Sequence, residues 1–218
     1  MNWRKNVAEI FQTDIYGVTC ESLSACKDNL EVVRRMIDAG VKIIQYREKD
    51  KTKREKYEEC RVIREMCKPA GVLFIVNDDV DIAILSKAGG VHVGQDDLPA
   101  NAVRKLVGEE MIIGVSADTP ADVEDAMVRG ADYVGVGPVF KTGTKADAGE
   151  PVGLDLIEHI AKNYKIPLVA IGGINGENIV DVRRRGVPCS AMVSALVSCA
   201  DVEAEVKKIR QLIAESGC

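Results

Sequence analysis

The sequence has no apolar run long enough to cross a bilayer. Its most apolar segment, residues 191–200, is short and interrupted by serines, whereas a membrane-spanning helix needs about 20 apolar residues. The first residues, MNWRKNVAEIFQ, lack the apolar stretch of a signal peptide. We therefore expect a cytoplasmic protein that has no membrane partner.

Closely spaced cysteine pairs are also missing. The chain has seven cysteines, an odd number, and no C-x-x-C pair occurs among them. Free thiols in a reducing cytosol, several of them buried as small apolar side chains, account for this pattern. A zinc or redox role for the cysteines is the weaker alternative.

An excess of positive charge is absent as well. The formal net charge of −5 disfavours non-specific binding to nucleic acid. The hydrophobic fraction of 46% and the charged fraction of 29% are typical of a soluble globular protein, and 218 residues fit one domain. We predict a single domain over residues 1–218 that binds small molecules, with positive charge concentrated locally if its ligand is an anion. The composition leaves the oligomeric state open.

Eight short runs rich in valine and isoleucine alternate with amphipathic stretches. The runs lie at residues 15–19, 42–46, 73–76, 90–93, 112–115, 133–136, 168–171 and 191–194. They lack polar alternation, as parallel strands buried on both faces do, and glycine often ends the helical stretch before the next run. No dinucleotide-binding fingerprint follows the first run. The pattern predicts an α/β fold, a single-domain (β/α)₈ TIM barrel, with a short capping helix before Ile15.

Three polar side chains end the second predicted strand. Gln45, Arg47 and Lys49 alternate along the chain, so they project to one side if the strand continues. Active sites of these barrels lie at the carboxyl ends of the strands, and an amide with two cations there would form a clamp for phosphate oxygens. The alternative is an exposed charged loop.

Carboxylates follow the third and fourth predicted strands. Asp78 and Asp96 come from distant parts of the sequence but from neighbouring strands, and such a pair suits Mg²⁺, which completes its shell with water and ligand phosphate. Helix N-capping is the alternative for both residues. For the adjacent Asp79 and Asp97, N-capping is the interpretation we favour.

Three further polar residues, two histidines and one serine, are given simpler interpretations. His92 is expected to point inward and to make one hydrogen bond, since a lone histidine is a weak metal signal. His159 falls on a predicted helix and is expected at the surface. Ser116 either donates to a ligand oxygen or is a small residue that opens the next helix. No Ser–His–Asp arrangement is indicated.

The loop after the sixth predicted strand, residues 141–150, is long, polar and glycine-bearing. Thr142, Thr144 and Lys145 supply two hydroxyl groups and an ammonium group, and such loops often act as lids. An ordinary surface loop is the alternative. Glycines 172 and 173 after the seventh strand, together with the helix start that follows the eighth, are typical of the phosphate site of these barrels.

The combination of motifs resembles thiamine-phosphate synthase (thiamine-phosphate pyrophosphorylase) from end to end. The matching motifs, in chain order, are QYREKD at 45–50, NDD at 77–79, HVGQDDLP at 92–99, GVSA at 114–117, GPVFKTGTKADAG at 137–149, AIGGIN at 170–175 and VSAL at 193–196. Each motif is weak alone, but seven in order make a specific match. The sequence departs from the family at Cys20, where aspartate is frequent, and at Lys141, where proline is common.

The resemblance implies a transferase that joins a hydroxymethylpyrimidine diphosphate to a thiazole phosphate and releases diphosphate. It implies Mg²⁺ bound by Asp78 and Asp96. The implied pyrimidine-diphosphate residues are Gln45, Tyr46, Arg47, Glu48, Lys49, Asn77, Ser116 and Lys145. The implied thiazole-phosphate residues are Thr142, Gly143, Thr144, Gly173, Val193 and Ser194. Catalytic roles are implied for Arg47, Lys49, Ser116 and Lys145.

Under this chemistry the C–O bond to the pyrimidine methylene carbon breaks, and the thiazole nitrogen captures the carbon. Stabilisation of the leaving group and positioning then suffice, without a nucleophile or a general base. Two alternatives remain. Thiazole tautomerase relatives share the barrel but need no complete diphosphate set, and a catalytically silent barrel could bind a phosphorylated ligand only.

Overall fold

In a computed structural model, residues 3–24, 28–144 and 149–217 of the chain are described. Within these ranges, eight parallel strands close into a barrel in sequence order. The strands are β1 (Ile15–Val18), β2 (Ile43–Tyr46), β3 (Leu73–Asn77), β4 (Gly90–Val93), β5 (Ile112–Ala117), β6 (Tyr133–Val136), β7 (Leu168–Ile171) and β8 (Cys189–Met192). The predicted α/β barrel is confirmed.

Helices connect the strands and surround the barrel. They are α1 (Val7–Ile10), α2 (Asn29–Asp38), α3 (Lys53–Ala70), α4 (Val80–Leu85), α5 (Ala100–Val107), α6 (Pro120–Val128), α7 (Gly153–Asn163), α8 (Ile179–Arg184), α9 (Ser194–Val197) and α10 (Val202–Glu215). Within the described part of the chain, no helix combines the length and the apolar character that crossing a membrane requires.

The position of β8 corrects the sequence prediction. The strand covers Cys189–Met192, two residues earlier than the predicted run at 191–194. The pairing of Ile15 with Ser190 and of Tyr16 with Ala191 fixes this register. The strand consists of three small residues and Met192. The residues after it, which are more apolar, belong to the start of α9. Apolar character alone therefore placed the strand too late.

Two apolar clusters form the core, one on each face of the sheet. The larger cluster lies between the strands and the surrounding helices. The smaller one fills the barrel interior, where Ile43, Leu73, Ile75 and Ile112 are fully buried. Strands buried on both faces explain why the sequence shows continuous apolar runs rather than alternation.

A cap closes the amino-terminal end of the barrel, as predicted. Residues Trp3–Asn6 form a 3₁₀ turn that continues into α1, and the ring of Phe11 stacks on Tyr133 with 4.3 Å between centroids. Aromatic stacking adds to the apolar area that the cap buries. The cap thus supports the floor of the barrel interior.

Four of the cysteines that the structure describes are buried free thiols, as the sequence indicates. Cys20, Cys60, Cys67 and Cys189 are buried, and Cys199 is half-buried. Burial penalises the thiolate and raises the pKa of Cys67 to about 12. These buried thiols therefore behave as small apolar side chains in the core.

A buried carboxylate joins three parts of the chain near the amino-terminal end of the barrel. Asp132 accepts hydrogen bonds from Arg4 at 2.7 Å, from Arg104 at 2.5 Å and from the backbone N–H of Ile113 at 2.8 Å. Its side chain is only 6% exposed. Removing one member of such a buried pair leaves the opposite charge without compensation.

We expect Asp132→Ala to lower the free energy of unfolding by about 3 kcal/mol, because Arg104 would stay buried without its partner. Urea denaturation followed by circular dichroism measures the change. The matched control is Asp155→Ala, since Asp155 is 97% exposed, and its effect should stay within about 0.5 kcal/mol. Equal effects of the two substitutions would contradict a stabilising role for Asp132.

Candidate active site

A cavity of about 310 Å³ opens at the carboxyl ends of the barrel strands. All eight strands, or the loops that directly follow them, contribute to its lining. The sequence-predicted residues that line it are Gln45, Arg47, Lys49, Asn77, Asp78, Asp96, Ser116, Thr142, Thr144, Gly173, Val193 and Ser194. Parallel closure is therefore what brings these distant motifs together.

One wall of the cavity carries the cations. The Lys49 ammonium group donates to Asp78 Oδ2 at 2.8 Å. The backbone N–H of Arg47 donates to Thr19 Oγ1 at 2.9 Å, while its guanidinium has no ion-pair partner among the residues that the structure describes. A half-buried guanidinium without a protein partner is suited to bind an anionic ligand.

Three carboxylates, those of Asp78, Asp96 and Asp97, line the cavity near these cations. Asp78 adopts a left-handed backbone with φ of 59°, an uncommon conformation outside glycine that is frequent at functional sites. Asp97, rather than Asp96, lies against Asp78. Burial, and next the nearby Asp78 carboxylate, raise the pKa of Asp97 above its ordinary value, against a hydrogen bond from Gly94 N–H that lowers it. Asp96 also lines the cavity, and both Asp96 and Asp97 are exposed.

The predicted N-capping roles of Asp79 and Asp97 are wrong. Asp79 occupies the position before α4 but makes no capping hydrogen bond, because its carboxylate pairs with Lys53 and Lys56 at 2.6 and 3.0 Å. The residue before α5 is Pro99, not Asp97. Ion pairs with distant lysines therefore explain the outcome for Asp79, and the longer loop before α5 explains the outcome for Asp97.

A chain of hydrogen bonds crosses the barrel beneath the cavity. Gln45 Nε2 donates to the Tyr16 hydroxyl at 2.7 Å, and this hydroxyl lies 3.0 Å from that of Tyr133. The two nitrogens of His92 then contact Tyr133 Oη at 2.8 Å and Ser116 Oγ at 3.0 Å. The sequence predicted one hydrogen bond for His92, and the structure gives it two.

Burial sets the protonation of this chain. It raises the pKa values of Tyr16 and Tyr133 and lowers the pKa of His92 to about 4. The imidazole is therefore neutral near pH 7, with one nitrogen that donates and one that accepts. His159, by contrast, is exposed on α7, as predicted.

The described residues of the opposite wall carry no charged side chains. Gly172 and Gly173 adopt φ values of 100° and 67°, and a Cβ atom at Gly172 would lie 2.5 Å from the Pro138 backbone. Only glycine fits such a turn so close to a neighbouring loop. The hydroxyls of Thr142 and Thr144 lie 3.3 Å apart, and both residues line the cavity together with the two glycines of the turn, Gly172 and Gly173.

Some predicted site residues lie elsewhere. The Tyr46 side chain faces the helices and donates to Glu59 at 2.7 Å, and Glu48 accepts from the backbone N–H of Glu21 at 3.0 Å. Neither side chain lines the cavity, because strand residues alternate between the two faces. Gly143 is exposed outside the lining. Lys145 falls outside the described residues, so its role stays a prediction.

Other cavity residues were missed by the sequence prediction. Tyr16 and Tyr133 lie inside strands that were taken only as apolar, and Gln95 donates to the Ser116 carbonyl at 2.5 Å. The alternation along β1 and β6 is the signal that could have placed the two tyrosines, once one inward residue of each strand was known. In the sequence, Gln95 was noted only as part of the HVGQDDLP motif at 92–99.

A closed parallel barrel with a polar cavity at its carboxyl rim defines the class of (β/α)₈-barrel enzymes. A family model described as thiamine monophosphate synthase matches residues 15–196. The thiamine-phosphate synthase of Pelotomaculum thermopropionicum is 51% identical over 96% of both chains. That of Caldicellulosiruptor saccharolyticus is 48% identical over 93% of this chain and 91% of its own.

A solved structure gives the same result at the level of the fold. The thiamine phosphate pyrophosphorylase from Pyrococcus furiosus superimposes with a TM-score of 0.86 at 34% identity, over 95% of this chain and 98% of its own. The chain belongs to the thiamine monophosphate synthase family and is a transferase of thiamine biosynthesis.

The contact between Asp78 and Asp97 gives a test of the site geometry. We expect Asp78→Asn to lower the pKa of Asp97, because a neighbouring negative charge disfavours the charged carboxylate. A ¹³C NMR titration of the aspartate carboxyl groups in metal-free buffer measures this value. The remote substitution Asp155→Asn should leave the pKa of Asp97 unchanged, and a shift of equal size there would contradict the contact.

Proposed function

We propose that the protein joins 4-amino-5-hydroxymethyl-2-methylpyrimidine diphosphate to a thiazole phosphate, giving thiamine phosphate and diphosphate. If the thiazole carries a carboxylate, CO₂ is released as a further product. The observation that carries this proposal is the division of one cavity into two unlike ends. One end has cations and carboxylates, and the other has glycines and hydroxyl groups. A leaving diphosphate and a retained phosphate need these two different environments.

The charged end suits the diphosphate. Arg47 offers a planar guanidinium to phosphate oxygens, and Lys49 offers an ammonium group that reaches across to Asp78. Both groups would oppose negative charge that develops as the C–O bond breaks. We assign them the catalytic charge stabilisation, together with Lys145.

The adjacent carboxylates Asp78 and Asp97 fit a magnesium ion. They come from the ends of β3 and β4 and lie in contact, and Mg²⁺ typically takes one or two carboxylates and fills its shell with water and ligand phosphate. Among the described residues no cluster of three or more acidic, histidine or cysteine side chains is positioned for a metal. When bound, Mg²⁺ would neutralise part of the charge on the departing diphosphate.

The uncharged end suits the phosphate that remains. The turn at Gly172 and Gly173 lines the cavity with backbone, and Ser194 begins α9 at the cavity wall. Backbone N–H groups with the hydroxyls of Thr142 and Thr144 can hold a phosphate without assisting its departure. This arrangement would orient the thiazole nitrogen towards the pyrimidine methylene carbon.

The enzyme is expected to release diphosphate and thiamine phosphate in equal amounts from the two substrates with Mg²⁺. Chromatography measures the thiamine phosphate, and a pyrophosphatase-coupled assay measures the diphosphate. Consumption of a thiazole tautomer without diphosphate release would favour a tautomerase. Binding of the thiazole phosphate without any turnover would favour a silent binding barrel.

The two candidate second ligands can be separated by substitution. We expect Asp97→Asn to raise the Mg²⁺ concentration for half-maximal activity by about tenfold or more, because a ligand oxygen loses its charge. The matched variant Asp96→Asn should change it by no more than about threefold, because the proposed ligands are Asp78 and Asp97 and Asp96 would act only as a nearby exposed charge. Calorimetric titration of Mg²⁺ in the presence of inorganic diphosphate gives a second measure.

A larger effect of Asp96→Asn than of Asp97→Asn would identify Asp96 as the second metal ligand, as the family resemblance implied. Full activity of the unmodified protein in EDTA would contradict a magnesium site altogether. The same assays on Asp78→Asn, which should lose metal dependence in either case, show whether Asp78 is the common ligand.

A further inference from the structure

We propose that His92 is a positioning residue that acts through Ser116. A chain of buried side chains fixes the imidazole in the tautomer protonated at Nε2, so that it donates to Ser116 Oγ and leaves the serine proton free to point into the cavity. This inference rests on the proposed function only for what the serine proton then contacts, which is an acceptor atom of the diphosphate-bearing substrate.

The direction of the chain follows from counting hydrogens. The amide nitrogen of Gln45 can only donate, and it does so to the Tyr16 oxygen at 2.7 Å. The Tyr16 proton must then point elsewhere, and Tyr133 is its partner at 3.0 Å.

The remaining contacts continue in the same direction. Tyr133 accepts from Tyr16, so its own proton is directed to His92 Nδ1 at 2.8 Å. Nε2 then carries the imidazole proton and donates to Ser116 Oγ at 3.0 Å. In the opposite direction Ser116 would donate to His92, and the Tyr16 proton would point at the Gln45 nitrogen, which cannot accept.

The barrel makes room for this chain at two glycines. A Cβ atom on Gly114 would lie 2.1 Å from the ring of Tyr133, and one on Gly135 would lie 3.1 Å from His92 Cε1. Tyr16 and Tyr133 are each 1% exposed. Rings enclosed this closely keep one orientation, so the hydrogen-bond geometry persists in the free protein.

The protonation of His92 agrees with this arrangement. Its low pKa is caused by burial and is opposed by the negative charge of Asp78, so the ring stays neutral near pH 7. A neutral imidazole can accept at one nitrogen and donate at the other, as the chain requires. The position of Ser116 opposite Gly135 in the barrel places its hydroxyl at the cavity floor.

The first test observes the tautomer and needs no substrate. Two-bond ¹H–¹⁵N correlation spectra of the ¹⁵N-labelled protein distinguish Nε2–H from Nδ1–H, and the chain has two histidines, so His159→Gln assigns the signals. We expect the Nε2–H form for His92, and a mixture of tautomers in Tyr133→Phe. The Nδ1–H form in the unmodified protein would overturn the proposal, whatever the enzyme assay gives.

The second test measures kinetics. We expect His92→Phe to lower kcat about 10- to 100-fold with little change in the KM for the thiazole phosphate, because one oriented donor is lost. His92→Gln, which keeps a donor amide, should recover most of the rate. The exposed control His159→Gln should be unchanged.

A double-mutant cycle identifies the route of the effect. Because His92 acts through Ser116, the variant carrying both His92→Phe and Ser116→Ala should be no slower than Ser116→Ala alone. Multiplied losses would overturn the positioning role, as would a His92→Gln variant as slow as His92→Phe. Absence of turnover in the unmodified enzyme would instead contradict the proposed function, while the tautomer test would still stand.

Discussion

The pairing of β1 with β8 is the contact on which the candidate site depends. It closes the sheet, with Tyr16 beside Ala191, and turns eight strand ends into one rim. An open sheet would leave the phosphate turn after β7 far from the cations after β2. Closure places both around one cavity and brings Tyr16 into reach of Tyr133 across the interior.

The site has charged groups at its rim and neutral hydrogen-bonded groups deeper in the barrel. At the rim, Lys49, Asp78 and Asp97 interact as charges in a partly exposed setting. Below them, Gln45, the tyrosines and His92 form a neutral hydrogen-bonded chain enclosed by protein. Charges near water can respond to a ligand and an ion, whereas buried neutral groups hold a fixed geometry. We infer that the lower layer orients the serine that the upper layer's ligand contacts.

The sequence predicted much of the site because parallel strands end at one rim, so polar residues after each strand converge. It failed where the outcome depended on distance in space. Asp97 was expected to cap a helix, and its carboxylate instead lies against that of Asp78. Tyr46 follows Gln45 directly but faces the helices. Asp79 looked like a helix cap, and its carboxylate instead binds lysines from α3.

The sequence by itself determined the order of strands and helices, the barrel and the residue types at the rim, because apolar period and glycine position are local properties. The tertiary structure decided the register of β8, the contact between Asp97 and Asp78, and the hydrogen-bond chain from Gln45 to Ser116. Each of these depends on contacts between residues far apart in the chain. Such contacts exist only after the barrel closes and fixes which side chains share its interior.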